Sequence, residues 1–212
     1  PLGGVAGWSE VYMNASLESY LKGYNDPRIK SYFNLAQDGR DKEGNIIKEV
    51  AGVKQLNSIE GEYKGVRQGT GVADNRYSTH SQTAITTGSK IIVMSAAEVW
   101  FLRAEAALRN YTSENVENCY KQGITVSFAQ WDASGVSEYL ESEETPAAYV
   151  DAFDKKFDAD APTSITPKWD ESAPLELKLE RIITQKWLAI YPEGCEAWAE
   201  QRRTGYPRLI KV

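Results

Sequence analysis

Histidine, cysteine and methionine are scarce in this 212-residue chain, which holds one His, two Cys and two Met. Each shortage removes a class of chemistry. A histidine-dependent triad would have to use His80, and no G-x-S-x-G turn is present to hold a nucleophile. Cys119 and Cys195 both fall inside helical sequence and not at metal-ligand spacing, so no zinc site is expected, and no other metal or cofactor. Gly65-Val-Arg-Gln-Gly69-Thr-Gly71 lacks the lysine and the following helix of a phosphate-binding loop. Positive charge is also short: the net charge is -6, and no Lys/Arg stripe offers itself to phosphates, which argues against a nucleic-acid partner. No apolar run approaches the roughly 18 residues of a membrane-spanning helix. The opening segment Pro1 to Gly7 lacks the basic and apolar regions of a signal peptide.

What is present is an ordinary globular composition, 42% hydrophobic and 25% charged, in a chain long enough to bury one sizeable core. A single domain over 1–212 is therefore expected. Aromatics make up 11%, with twelve Tyr and six Trp, a supply that suits bulky helical packing as well as the recognition of sugars or peptides.

Helix ends are legible along much of the chain. From Asn14 to Lys22 the pattern is helical and stops at Gly23, the residue type favoured just past a helix end. Asn25-Asp26-Pro27 then offers an N-cap followed by proline at the first helical position, launching a short helix to Phe33. Residues 34–90 differ. Glycines at 39, 44, 52, 61, 65, 69, 71 and 88, with turn formers such as Asp38-Gly39 and Asp74-Asn75, predict loops with at most a short strand such as Ile46 to Val50. A loop tract of that length is uncommon in a compact domain and is often functional.

Ser95-Ala-Ala-Glu98 is a capping box, with Met94 and Val99 as its hydrophobic staple. The helix it opens runs to about Arg109 and is apolar nearly all round, which predicts burial on most sides. Four residues, Asn110 to Ser113, link it to a second helix in which Val116, Tyr120, Ile124, Ser127 or Phe128, and Trp131 recur at helical spacing, giving an antiparallel hairpin. Residues 132–173 form a loop insertion, with a helix start at Thr145-Pro146 that runs through Tyr149 to Phe153. A Pro-, Ser- and Thr-rich stretch from Ala161 ends where Pro174 opens the helix 175–190, which turns at Tyr191-Pro-Glu-Gly194 into a last helix, 195–203. The fold class is mainly α, helical hairpins of tetratricopeptide-like proportions with long irregular loops, divided as 1–90, 91–131, 132–173 and 174–212.

Glu98 and Glu105 lie about two turns apart on one helix, roughly 10 Å of rise and near the spacing of about 6.5–9.5 Å found in inverting glycosidase pairs. The structural reading is preferred: Glu98 belongs to the cap, and Glu105 is within reach of Arg103 or Arg109. Arg181, Arg202 and Arg203 with Glu193, Glu196 and Glu200 read as clamps on helix ends and carboxylates. Trp100, Trp187 and Trp198 follow core periodicity, whereas Trp131, Trp169 and Trp8 are freer. A sugar ring stacks its C–H face on an aromatic and needs polar groups beside it for its hydroxyls. Trp169 between Lys168 and Asp170, Tyr77 beside Asn75 and Arg76, Trp131 at a helix end and Tyr63 in the loop tract are the expected ligand contacts.

Thr184-Gln-Lys-Trp187-Leu-Ala, Glu196-Ala-Trp198 and Arg202-Arg-Thr-Gly-Tyr-Pro207, with Met94-Ser-Ala-Ala-Glu98 and the Asp26-Pro-Arg28 element, resemble the C-terminal half of SusD/RagB-like nutrient-binding outer-membrane lipoproteins. The likeness covers most of the chain and is densest at 91–131 and 175–208. It implies the C-terminal part of a longer surface lipoprotein of Bacteroidota, built on tetratricopeptide-like helix pairs. It also implies noncatalytic capture of oligosaccharides or peptides for a TonB-dependent, SusC-like transporter, with membrane attachment only through a lipid anchor outside this chain. Alternatives are a helical-repeat scaffold that binds only protein and a glycoside hydrolase of helical fold.

Overall fold

A computed structural model describes residues 10–70 and 75–211, so Trp8, Gly71 and Asp74 lie outside the described residues. Among the described residues there are seven α-helices: α1 (Ala15–Gly23), α2 (Ile29–Tyr32), α3 (Ala96–Leu108), α4 (Val116–Gln130), α5 (Val136–Leu140), α6 (Leu175–Ala189) and α7 (Gly194–Thr204). The sheet content is one antiparallel hairpin, β1 (Glu49–Val50) with β2 (Val53–Lys54). The chain is mainly α, as its sequence predicts, and among the described residues no helix is long and apolar enough to cross a membrane.

The helices begin where side chains satisfy their first amides. Asn14 Oδ1 accepts the Ser16 N–H at 2.8 Å, Ser95 Oγ the Glu98 N–H at 3.1 Å, and Asn115 Oδ1 the Asn118 N–H at 2.8 Å. α7 stops at Gly205, whose φ of 79° is the left-handed conformation that glycine adopts without a Cβ penalty. The core lies between α3, α4 and α6, where Phe101, Tyr120, Ile124, Phe128, Ile182 and Leu188 are buried together. Gly123 permits the close approach of α4 to α3, because a Cβ there would stand 2.7 Å from the Phe101 ring. α7 meets α6 only over a short stretch near their corner, so α6 finds its main partners in α3 and α4.

A second, smaller core under the loops gathers Ala36, Val50, Ile59, Tyr77, Ala152 and Phe153. Carboxylates organise its irregular backbone. Asp38 accepts the Ile59 N–H at 2.8 Å, the Ser58 hydroxyl at 2.7 Å and the Gln55 amide at 2.6 Å. Asp151, fully buried, accepts from the Phe153 and Asp154 amides at 2.8 and 3.0 Å and from the Tyr77 and Tyr149 hydroxyls at 3.1 and 3.0 Å.

Three sequence expectations are corrected. The strand expected from Ile46 is confined to Glu49–Val50. No helix forms from Thr145 to Phe153, because α1 takes the backbone there: the Ala147 N–H donates to Ser19 O at 2.8 Å, and Tyr149 bridges to Ala159. Met94 and Val99, which flank the α3 cap, are 54% and 41% exposed. Trp198 is 63% exposed, since α7 turns toward the molecule with its glutamates and presents the tryptophan outward.

Candidate functional site

A cleft of about 980 Å³ opens between the loop Ile85–Met94, the first turn of α3, the end of α4 and the corner Pro192–Cys195. The loop is shaped by its own hydroxyls. The Ile85 N–H donates to Thr83 Oγ1 at 3.1 Å, the Thr86 N–H to Ser89 Oγ at 2.9 Å, and the Ser89 N–H to Thr86 O at 3.1 Å. Behind the cleft stands an aromatic pedestal. Tyr32 stacks on Tyr191 with centroids 4.6 Å apart, and Trp131 meets Tyr32 edge-on at 4.8 Å. Tyr191 shares a 2.6 Å hydrogen bond with Thr83, and burial pushes its phenol up to about 12.

The lining is mixed: Ile85, Ile91, Met94, Pro192 and Trp131 are apolar, and the polar groups are Thr86, Thr87, Ser89, Ser95, Gln130 and the single cation Lys90, with Glu193 at the corner. Ile91 is 77% exposed. A lining of apolar side chains, hydroxyls and an amide suits an amphipathic, largely uncharged ligand held by stacking and hydrogen bonds. It offers no assembled acid–base pair.

Of the four residues singled out in the sequence, only Trp131 lines this cleft. Trp169 is buried: its ring packs on Tyr120 at 5.1 Å, and its indole N–H donates to Glu171 at 2.8 Å. Tyr77 is also buried, in the smaller core, with its hydroxyl on Asp151. Neither presents a face to solvent, so the expectation of exposed stacking platforms fails for both. The Pro-rich and Gly-rich segments fold over these rings and do not display them. Tyr63 is half-buried against the main core, and burial raises its phenol. The four are not brought together. The cleft residues the sequence reading missed have one local signal, the apolar run Ile91-Ile92-Val93-Met94 placed before a helix cap and outside any regular element.

The candidate catalytic groups are occupied elsewhere. His80 is buried between Tyr77 and Phe153, with neither ring nitrogen hydrogen-bonded among the described residues, and desolvation drives its pKa down to about 3. Glu98 lies 3.6 Å from Lys186, and burial raises its carboxyl. Burial alone would raise Glu105 as well, but hydrogen bonds from Arg203 and Arg109 at 2.6 and 2.8 Å hold it below the usual carboxylate range. Both carboxylates therefore serve helix packing. Among the described residues no three ligating side chains gather as a metal site. Cys119 is buried and Cys195 exposed, and both are free thiols.

The model of the SusD-like family, described as SusD and RagB outer membrane lipoprotein, matches residues 3–212. Among solved structures, a SusD homolog from Bacteroides vulgatus is 43% identical over 100% of this chain, with a TM-score of 0.83. A chitin-binding SusD homolog from Flavobacterium johnsoniae is 39% identical over 97%, at 0.80, and a SusD homolog from Bacteroides ovatus 36% identical over 95%, at 0.80. The chain spans 41%, 39% and 40% of those three structures. No curated protein matches it. With a family match along nearly its whole length and solved relatives well above 30% identity, the chain belongs to the SusD/RagB-like family.

Proposed function

We propose that this chain is part of a noncatalytic, surface-exposed outer-membrane lipoprotein that captures glycans or other nutrients and delivers them to a TonB-dependent, SusC-like transporter. The observation that carries the reading is the 39% identity, over 97% of the chain, to a homolog described as chitin-binding. The cleft beside Trp131 supports it, since it joins an aromatic edge and apolar side chains to hydroxyl and amide groups. The burial of His80 and the ion pairing of Glu98 and Glu105 support capture without bond cleavage.

Calorimetric titration of the product of the complete reading frame with chito-oligosaccharides, after a glycan-array screen, tests the proposal. Binding is expected without product formation. Trp131→Ala should weaken it by about 1 kcal/mol, the scale of an aromatic contact. Ile91→Asp alters a residue 77% exposed and should weaken binding without loss of fold. Unchanged affinity in both variants would remove the cleft from the reading. No binding to any glycan or peptide tested would remove capture itself, and released sugar would restore the hydrolase alternative.

A further inference from the structure

α7 is held in place by charge. Glu200 is the one residue of this helix that is buried, and none of its side chains belongs to the main core. Two ionic rungs fix it instead. At the first, Lys186 of α6, itself 1% exposed, stands 3.6 Å from Glu98 of α3 and 2.8 and 3.2 Å from Glu196 and Glu200 of α7. At the second, Arg203 of α7 meets Glu105 of α3 at 2.6 Å and Glu200 at 2.7 Å, and Arg109 pairs with Glu105 at 2.8 Å. Burial would lower the Lys186 ammonium, but the Glu196 and Glu200 carboxylates hold it above its ordinary value. Lys186 is a fixed point because the rest of α6 is anchored: Ile182, Ile183, Leu188 and Ala189 are all within 1% of full burial.

The two helix starts that Lys186 ties together are also walls of the cleft. Ser95 and Ala96 come just before Glu98, Gly194 and Cys195 just before Glu196, and all four line the opening, whereas Lys186 does not. We infer that Lys186 is the positioning residue of the cleft: by drawing the first turns of α3 and α7 onto one ammonium, it sets the separation of the walls that carry Met94 and Cys195. The inference rests on the reading of this cleft as the capture site. Without Lys186, Glu98, Glu196 and Glu200 would face one another with no counter-charge between them, and like charges in a partly buried seam repel. The helix starts should then part. The second rung stands about two turns further along α3, so its loss should loosen the far end of α7 and leave the walls where they are.

The test is the distance between spin labels on Cys195 and Met94→Cys, both exposed residues of the cleft, in the product of the complete reading frame with label confined to these two sites. Lys186→Met should lengthen that distance by about 2 Å or more, the upper scale of helix shifts at interfaces, and weaken chito-oligosaccharide binding in parallel. Arg203→Met should leave the distance unchanged while lowering the melting temperature. Glu196→Gln changes a side chain 41% exposed and should give a smaller lengthening, readable even if Lys186→Met fails to fold. An unchanged distance in the folded Lys186→Met protein, or in Glu196→Gln where the former does not fold, would overturn the inference. Equal lengthening in Arg203→Met would do so too, because the cleft would then follow the stability of α7 in general. Distances that shift as expected in a protein that binds no glycan would uphold the positioning role and remove the capture reading alone.

Discussion

The helical region and the loop region of this protein solve the same problem by different means. Between α3, α4 and α6, backbone groups are satisfied within the helices, and stability comes from apolar side chains such as Phe101, Ile124, Phe128 and Leu188, all within 1% of full burial. Around the smaller core, regular structure is nearly missing, and buried polar side chains replace it: Asp38, Asp151 and the Glu18–Lys64 pair each receive hydrogen bonds from segments distant in sequence. The Glu18 carboxylate, for example, accepts from Lys64 and from the Gly65 amide, both at 2.7 Å. A long loop tract is thus ordered by carboxylates that accept orphan amides. Its stability should depend on single polar atoms where the helical region depends on volume.

The largest effects are expected where the two solutions meet. Arg28 is fully buried and its guanidinium sits on Asp26 at 2.5 Å, with Ser127 of α4 at 2.8 Å. Asp26→Ala strands that charge and should cost about 3–5 kcal/mol in urea denaturation. Trp169→Ala should cost a similar amount, about 3–5 kcal/mol, because the ring is core and not platform. A loss under 1 kcal/mol for Trp169 would return it to the list of ligand contacts.

The loop region is tested next by Asp151→Ala, which leaves two amides and the Tyr77 hydroxyl without their acceptor, while the Tyr149 hydroxyl keeps the Gly65 carbonyl at 3.0 Å. The expected loss is about 1–3 kcal/mol for the groups left unpaired. A neutral result would refute the claim that this carboxylate stands in for secondary structure.

His80 supplies a pH signature confined to the loop region. Its pKa falls from 6.5 to about 3 on folding, so its contribution is complete above pH 6.5 and is lost progressively as pH drops toward 3. Over that window the unfolded chain binds a proton that the folded chain refuses, and stability should fall by about 1.4 kcal/mol per pH unit. His80→Phe should flatten the melting-temperature profile between pH 6.5 and 4.5, and an unaltered profile would assign the acid sensitivity to other groups. The smallest effect is expected at the exposed edge of the helical region: Trp198→Ala in this chain should stay within about 0.5 kcal/mol of the parent.

Much of the helical region was legible because its signals are local. Asn14, Ser95 and Asn115 each accept an amide within three residues, and Pro174 and Gly205 mark a start and a stop without reference to anything distant. The helix expected from Thr145 failed for the opposite reason, since its backbone bonds are taken by Ser19 and Ala159. α5 escaped notice because Gly135, with φ 83°, begins it in place of a side-chain cap. In the site, Trp131 was accessible to sequence reasoning as an aromatic at a helix end. The rest of its cleft comes from residues 85–96 and 192–195, about a hundred positions apart in sequence.

By itself, then, the sequence determined the helix caps, the mainly helical class and the family, because capping, periodicity and the run from Gln185 to Pro207 are carried by neighbouring residues. Only the tertiary structure decided which aromatics face water. The same loop chemistry that suggested exposed platforms at Trp169 and Tyr77 folds over them. The same periodicity that suggested a buried Trp198 leaves it outside, because α7 spends its inward face on ion pairs with Lys186 and Glu105. Burial is a property of what packs against a residue, and that partner is supplied by distant chain.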